Sequence, residues 1–380
     1  MHKISASEQL HSELVTILRC HCRLLKNLTS LDLDELRDRR FPLPLSSLAQ
    51  LPHLSVISLP PLQKIETEML VASKGFNLRK LRLVGSNELT NAHIICFLAT
   101  QSSLASLDLS FCKKLDQTII PEVAKLTNLK SLHLDGTIGI TDLAPLATLP
   151  ALSTLTLYLS DVDDMAFEMI SACKSLKRLD IQGTRTTEDV LRFIAPLSSL
   201  VELHLSEGCV SDQNTLMFKK MINLTNLSFV KCPNLFGIGY EHLATLAKVE
   251  RLELRSQPAL VNEEWSFLSN FRLLTQVSII DMRDVGDEML QYLAEAFHLS
   301  RLAVSPNSIT FHGIAMIAHC PLKTLILKNG SLLDDGVIPV LMDGLTQLAH
   351  LNVQQCLGLT ATGKSALEEW CKSSQITLLD

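Results

Sequence analysis

One phrase governs this chain: an apolar residue, two variable residues, an apolar residue, one variable residue, an apolar residue. It first reads Leu28-x-x-Leu31-x-Leu33. It restarts at Leu54, Leu78, Leu104, Leu129, Leu152, Leu176, Leu200, Leu224, Val249, Leu274, Leu299, Leu322 and Leu348, giving fourteen copies at intervals of 23 to 26 residues. A partial fifteenth strand carries Ile376 and Leu378. The spacing dictates local structure. In Leu107-Asp108-Leu109 the alternation puts both leucines on one face of a strand and the carboxylate on the other. A unit this short cannot bury its own leucines, so neighbours must stack to share a core.

Phrase and period together resemble the leucine-rich repeat. The resemblance implies an α/β solenoid, a horseshoe with a concave parallel β-sheet of about 15 strands and a mostly helical convex face. Second apolar segments around Leu146, Met169, Ile194, Leu243, Leu293, Ile317 and Leu341 supply the helices. Short polar pairs precede them at Thr141-Asp142, Asp163-Asp164, Thr187-Glu188, Ser211-Asp212, Gly286-Asp287 and Asp334-Asp335, and these predict N-caps. Phe41-Pro42-Leu43-Pro44 and Pro60-Pro61 predict irregular connections in the first two repeats. The solenoid is expected over residues 28–380. Ahead of it, residues 1–27 combine Ser5-x-x-Glu8 with Leu10, Leu14, Ile17, Leu18 and Leu25, which predicts an amphipathic helix capping the N-terminal end.

Composition excludes several functions. Charged residues are 19%, hydrophobic residues 47% and aromatics 5%, so the core is large and aliphatic. A net charge of −6 argues against a phosphate-backbone track, and no nucleic-acid partner is expected. No apolar run approaches the ~18 residues of a membrane span. The start, Met-His-Lys-Ile-Ser-Ala-Ser-Glu-Gln, predicts no Sec signal peptide. Ten scattered cysteines in a chain of 380 residues read as reduced thiols of a cytoplasmic compartment.

Three motifs invite chemistry. Gly358-Leu-Thr-Ala-Thr-Gly363-Lys364-Ser365 matches the phosphate-binding loop G-x-x-x-x-G-K-[ST] letter for letter. It also coincides with the turn and helix start of the fourteenth repeat, and the strands before it are already committed to the solenoid. Cys20-His21-Cys22, with His11, lacks the separated pairs of a structural zinc site. Cys112, Cys232 and Cys356 hold one place in their repeats, which reads as a buried structural thiol rather than a nucleophile. The expectation is therefore no enzyme, no metal, no cofactor and no small-molecule substrate.

Finer resemblances concern the turns. Leu107-Asp-Leu-Ser-Phe-Cys112-Lys-Lys-Leu115-Asp116, Leu227-Ser-Phe-Val-Lys-Cys232-Pro-Asn-Leu235 and Leu351-Asn-Val-Gln-Gln-Cys356-Leu-Gly-Leu359-Thr360 resemble the cysteine-containing repeats of F-box substrate receptors. Ile140-Thr-Asp-Leu-Ala-Pro-Leu-Ala-Thr-Leu149 is similar to the repeats of bacterial internalins. The mixture resembles leucine-rich-repeat effectors injected into host cells, and Glu368, Glu369, Leu378 and Leu379 resemble a type IV secretion signal. That resemblance implies a virulence protein acting on a host protein in the host cytosol. The cysteine-containing repeats imply a rival, a substrate-recruiting subunit of a ubiquitin-ligase-type complex. The less favoured rival is a nucleotide-binding enzyme at 358–365.

The working surface follows from register. Offsets +2, +4 and +6 from each first leucine face solvent, with +7 at the rim. They nominate Asp108, Phe111, His133, Asp135, Tyr158, Arg178, Asp180, Glu202, His204, Glu207, Arg251, Glu253 and Arg255 as a concave partner-binding face. Gln276 and Arg301 continue it. Mixed charge, outward aromatics and arginine suit a protein partner.

Overall fold

The computed structural model describes residues 3–5, 16–18, 20–21, 24–36, 42–73, 75–283, 285–305 and 307–379. It divides into two compact units, Met1–Thr186 and Thr187–Asp380.

The first unit carries β1 (Lys3–Ser5), β2 (Ser30–Asp32), β3 (Val56–Ser58), β4 (Lys80–Arg82), β5 (Ser106–Asp108), β6 (Ser131–His133), β7 (Thr154–Thr156) and β8 (Arg178–Asp180). Consecutive strands pair in parallel, and one leucine row runs Leu31, Ile57, Leu81, Leu107, Leu132, Leu155, Leu179 in direct register. The second unit carries β9 (Glu202–Ser206), β10 (Asn226–Val230), β11 (Arg251–Arg255), β12 (Gln276–Ile280), β13 (Arg301–Val304), β14 (Thr324–Leu327), β15 (His350–Asn352) and β16 (Thr377–Leu379). Its equivalent row is Leu203, Leu227, Leu252, Val277, Leu302, Leu325, Leu351, Leu378. Except for the final Leu378, these residues are at most 2% exposed in both units. Each buried aliphatic side chain stabilises by about 1.5–3 kcal/mol, and the repetition extends one core through each unit. Each unit is thus an α/β solenoid of leucine-rich repeats.

The crossovers are short helices, partly α and partly 3₁₀. Asn91–Leu98, Val337–Gly344 and Ala361–Ser373 are α-helical, whereas Ala144–Thr148, Thr215–Lys220 and Asn262–Asn270 are 3₁₀. The prolines of the first repeats do not prevent helices, contrary to the sequence expectation. Leu45–Leu48 follows Pro44, and Lys64–Ala72 follows Pro60-Pro61 by three residues. Proline ahead of a helix sacrifices no internal hydrogen bond. Glu66, buried in the first turn of Lys64–Ala72, accepts the Gln63 N–H and the Leu43 N–H, each at 2.8 Å, and ties the two connections together.

The N-terminal segment also differs from expectation. Lys3–Ser5 is a strand in register with Ser30–Asp32, ahead of and including the Ser5 read as the helix cap, within the segment 1–27 assigned to a capping helix. Residues 16–18 and 20 are helical, with Leu18 buried, while Glu8, Leu10 and Leu14 lie outside the described residues.

The +7 place has a backbone signature. Gly85, Phe111, Gly136, Leu159, Gly183, Glu207, Lys231, Ser256, Asp281, Asn329 and Gln355 all have φ between 49° and 69°. Here the strand turns toward its crossover while the ladder continues. The Phe111 N–H donates to Asp135 O at 2.6 Å, Gly136 to Tyr158 O at 2.6 Å and Leu159 to Gln182 O at 2.9 Å. Left-handed backbone costs an ordinary L-residue about 1–2 kcal/mol, yet only three of these residues are glycine.

Candidate functional site

In the first unit many nominated polar groups serve the fold. Asp108 Oδ1 accepts the Ser110 N–H at 3.0 Å and Asp180 Oδ1 the Gln182 N–H at 3.1 Å, so each carboxylate closes the turn at the end of its own strand. Asp135 Oδ1 accepts the Tyr158 N–H of the next repeat at 2.9 Å. The Arg82 Nε–H donates to Asp108 Oδ2 at 2.9 Å, and the same guanidinium pairs with Asp34. His133 is bridged by Ser131 Oγ at 2.8 Å and Thr156 Oγ1 at 2.9 Å. Burial holds its pKa below the ordinary imidazole value, with Arg178 and Lys80 adding to the effect against Asp108 and Asp135. Burial thus favours the neutral imidazole at His133. Arg178 stands half-buried at the start of β8. Phe111 and Tyr158 remain 40% and 39% exposed.

In the second unit the open sheet face forms a shallow depression of about 200 Å³ across β9–β13. Glu202, His204, Asn226, Ser228, Arg251, Glu253, Gln276, Ser278 and Arg301 line it. Glu202 Oε1 lies 2.8 Å from His204 Nε2, and the Ser228 hydroxyl donates to Glu253 Oε2 at 3.1 Å. Arg255 is 3.8 Å from Asp281. Arg251 and Arg301 are exposed, and among the described residues neither joins an ion pair within 4.0 Å. The register Arg251, Gln276, Arg301 sets them two strands apart, about 10 Å between Cα atoms at ordinary strand spacing. Glu207 is exposed in the turn beyond β9. The depression takes in Glu202, His204, Arg251 and Glu253 of the nominated face and centres on Arg251–Arg301, later than the aromatic-rich stretch that draws attention in the sequence.

The segment 358–365 is occupied by its own fold. Asp335, from the preceding repeat, accepts the Thr360 N–H at 2.9 Å and the Thr360 hydroxyl at 2.6 Å, while Thr360 Oγ1 accepts the Gly363 N–H at 3.1 Å. A carboxylate and a hydroxyl thus take amides that a phosphate would need. A Cβ on Gly363 would run into Asp335 Oδ1. The same pairing recurs without any phosphate motif. Asp212 accepts the Phe236 N–H at 2.8 Å and lies against Gly239, and Asp287 accepts the Thr310 N–H at 2.8 Å and lies against Gly313. The motif's second glycine is a packing glycine of the repeat.

The three cysteines are buried. The Cys112 thiol donates to Leu83 O at 3.2 Å and Cys356 to Leu327 O at 3.4 Å. Burial pushes Cys112 up to about 12 and raises Cys232 and Cys356 too, so thiolates are disfavoured there. Cys20 is exposed, and His11 and Cys22 lie outside the described residues. Among the described residues no His, Cys, Asp and Glu groups gather to hold a metal ion.

No protein-family model matches the chain. Solved structures share its fold. A leucine-rich-repeat protein of Leptospira interrogans superimposes over 100% of both chains, with 16% identity and a TM-score of 0.52. An internalin of Listeria monocytogenes covers 99% of this chain and 96% of its own, with 18% identity and a TM-score of 0.50. In the complex of Rad7 and Elc1 from yeast, a chain is similar over 79% of this chain and 84% of its own, with 18% identity and a TM-score of 0.57. Among curated proteins, acidic leucine-rich nuclear phosphoprotein 32-related protein 2 of Caenorhabditis elegans is 33% identical over 106 residues. That match spans 26% of this chain and 47% of the relative, about half its length. The chain has the leucine-rich-repeat fold.

Proposed function

We propose that this protein is a non-enzymatic recognition scaffold that binds a protein partner on its open sheet face. The observation carrying this reading is the β9–β13 depression, where Arg251 and Arg301 flank Gln276 without an internal ion pair. Arginine on a rigid strand loses little on docking, and it is enriched at interface hot spots. The internalin-like stretch Ile140–Leu149 supports a host protein as that partner. No helix among the described residues is long and apolar enough to cross a membrane.

A second reading makes the chain a substrate-recruiting subunit of a ubiquitin-ligase-type complex. It rests on the cysteine-containing turns, whose thiols are buried, and the likeness to a chain of the Rad7–Elc1 complex is compatible with it.

Affinity capture from a eukaryotic lysate, compared between the parent and the Arg251→Ala/Arg301→Ala double variant, tests the proposal. A protein kept by the parent and lost by the correctly folded variant supports the sheet-face scaffold. A protein kept equally by both moves the site elsewhere, and a ubiquitin-ligase adaptor among such proteins supports the second reading.

A further inference from the structure

The strand ends of the first unit carry a surface of different character. Between Lys130 and Lys174 the sequence has no lysine or arginine, while it has Asp135, Asp142, Asp161, Asp163, Asp164 and Glu168. This stretch also exposes large apolar side chains. Ile138 is 59% exposed, Tyr158 39%, Leu159 47% and Met165 65%, with Phe111 at 40% on the preceding repeat.

Two of these side chains, Phe111 and Leu159, stand in one row. Phe111, Gly136, Leu159 and Gly183 occupy the +7 place of successive repeats, so their backbones follow one another at about 4.8 Å. Each large side chain lies against the next glycine. The Phe111 ring covers Gly136, and Leu159 Cδ2 would sit 2.6 Å from a Cβ on Gly183. Two bulky residues are therefore held at φ 60° and 56°, where the alternating repeats use glycine. The core gives no reason for this, since both side chains are 40% or more exposed. Exposed apolar side chains that the core does not use are a mark of binding surfaces.

The charge around them is predominantly acidic. Arg185 pairs with Asp161 at 2.9 Å, and Lys114 with Glu88 at 2.9 Å. Among the described residues Asp135 and Asp163 join no ion pair, though each accepts a backbone N–H. Lys113 adjoins Phe111, and the carboxylates outside ion pairs here include Asp135 and Asp163.

We propose that this strand-end surface docks a basic, partly apolar segment of a partner protein. Large apolar side chains of the segment cover Phe111, Tyr158 and Leu159, and its lysines or arginines face Asp135 and Asp163 and compete with Arg185 for Asp161. The surface belongs to the first unit and does not depend on the β9–β13 depression.

A library of random dodecapeptides displayed on phage, selected on the parent and counter-selected on Phe111→Gly/Leu159→Gly, tests it. Glycine suits the backbone at both positions, so this variant retains the turn. The expected winners combine lysine or arginine with leucine or an aromatic. A synthetic winner should bind at least tenfold more weakly to Phe111→Gly/Leu159→Gly and severalfold more weakly to Asp161→Asn/Asp163→Asn. Its affinity should fall with rising salt, as exposed charge pairs are screened. Acidic or uncharged winners, affinity unchanged in the Asp161→Asn/Asp163→Asn variant, or no enrichment on the parent would each overturn the proposal. The aspartate variant decides the matter even if the double-glycine variant loses its far-UV circular dichroism.

Discussion

The left-handed place at +7 makes a quantitative prediction about stability. Lys231 has φ 52° and an exposed side chain, and its N–H donates to Arg255 O at 2.9 Å, a bond that glycine keeps. Lys231→Gly removes a left-handed cost of about 1–2 kcal/mol and restores about 0.5–1 kcal/mol of chain entropy to the unfolded state. The net expectation is stabilisation by about 0.5–1 kcal/mol. In a cooperative unit of 150–250 residues that is a rise in Tm of roughly 1–4 °C. The converse substitution is Gly183→Ala in the first unit. There φ is 68°, and the new Cβ would stand 2.6 Å from Leu159 Cδ2. Strain and contact together should destabilise by about 1–2 kcal/mol. Scanning calorimetry resolves the transitions, with urea unfolding followed by far-UV circular dichroism as the second measurement. A stability loss in Lys231→Gly, or a Gly183→Ala protein that melts with the parent, would refute the argument that this turn imposes its backbone on whatever residue stands there.

Two further outcomes are expected. Brief maleimide treatment of the native protein at pH 8 should modify the exposed Cys20 and Cys96 and spare Cys112, Cys232 and Cys356, as read by peptide mass spectrometry. A thiol whose pKa is about 12 is thiolate in only about one molecule in ten thousand at that pH; Cys112 labelling as fast as Cys96 would disprove its structural role. The hydrogen bonds from Thr360 hold the Asp335 carboxyl below the usual carboxylate range. Its stabilising contribution is complete above about pH 4 and is lost as pH falls through the lowered folded-state value. Asp335→Asn should therefore lose less Tm than the parent between pH 5 and pH 2.5, and identical acid profiles would assign the effect to another group.

The strands were legible because alternation leaves no choice. Shifting Leu203-His204-Leu205 by one residue would put two leucines in water and a histidine in the core. The outward row was legible for the same reason, which is why Arg251 and Glu253 stand where the offsets placed them. What the sequence hid is how the outward groups are used. Asp108 and Asp180 close their own turns, and that depends on a backbone N–H two residues on, which no alternation reports. Some predicted caps do act locally: Asp142 accepts the Ala144 N–H at 2.8 Å and Asp163 the Met165 N–H at 3.0 Å. Asp212, Asp287 and Asp335 instead serve the following repeat, a partner some 23 to 25 residues away. The left-handed turn was hidden because most of its residues are not glycine, the usual signal. The strand Lys3–Ser5 was hidden because it has no leucine phrase, being recruited by the free edge of β2.

The aspartate–glycine pairs also amount to a grammar for rearranging the gene. A repeat ending its turn in Asp212, Asp287 or Asp335 must be followed by one that offers a glycine, here Gly239, Gly313 or Gly363. Duplicating either partner alone sets a carboxylate against a side chain, or leaves a glycine facing nothing. Duplicating the two together keeps every junction intact. Descendants of this chain should therefore gain and lose these repeats in pairs, with the aspartate and the glycine changing hands together.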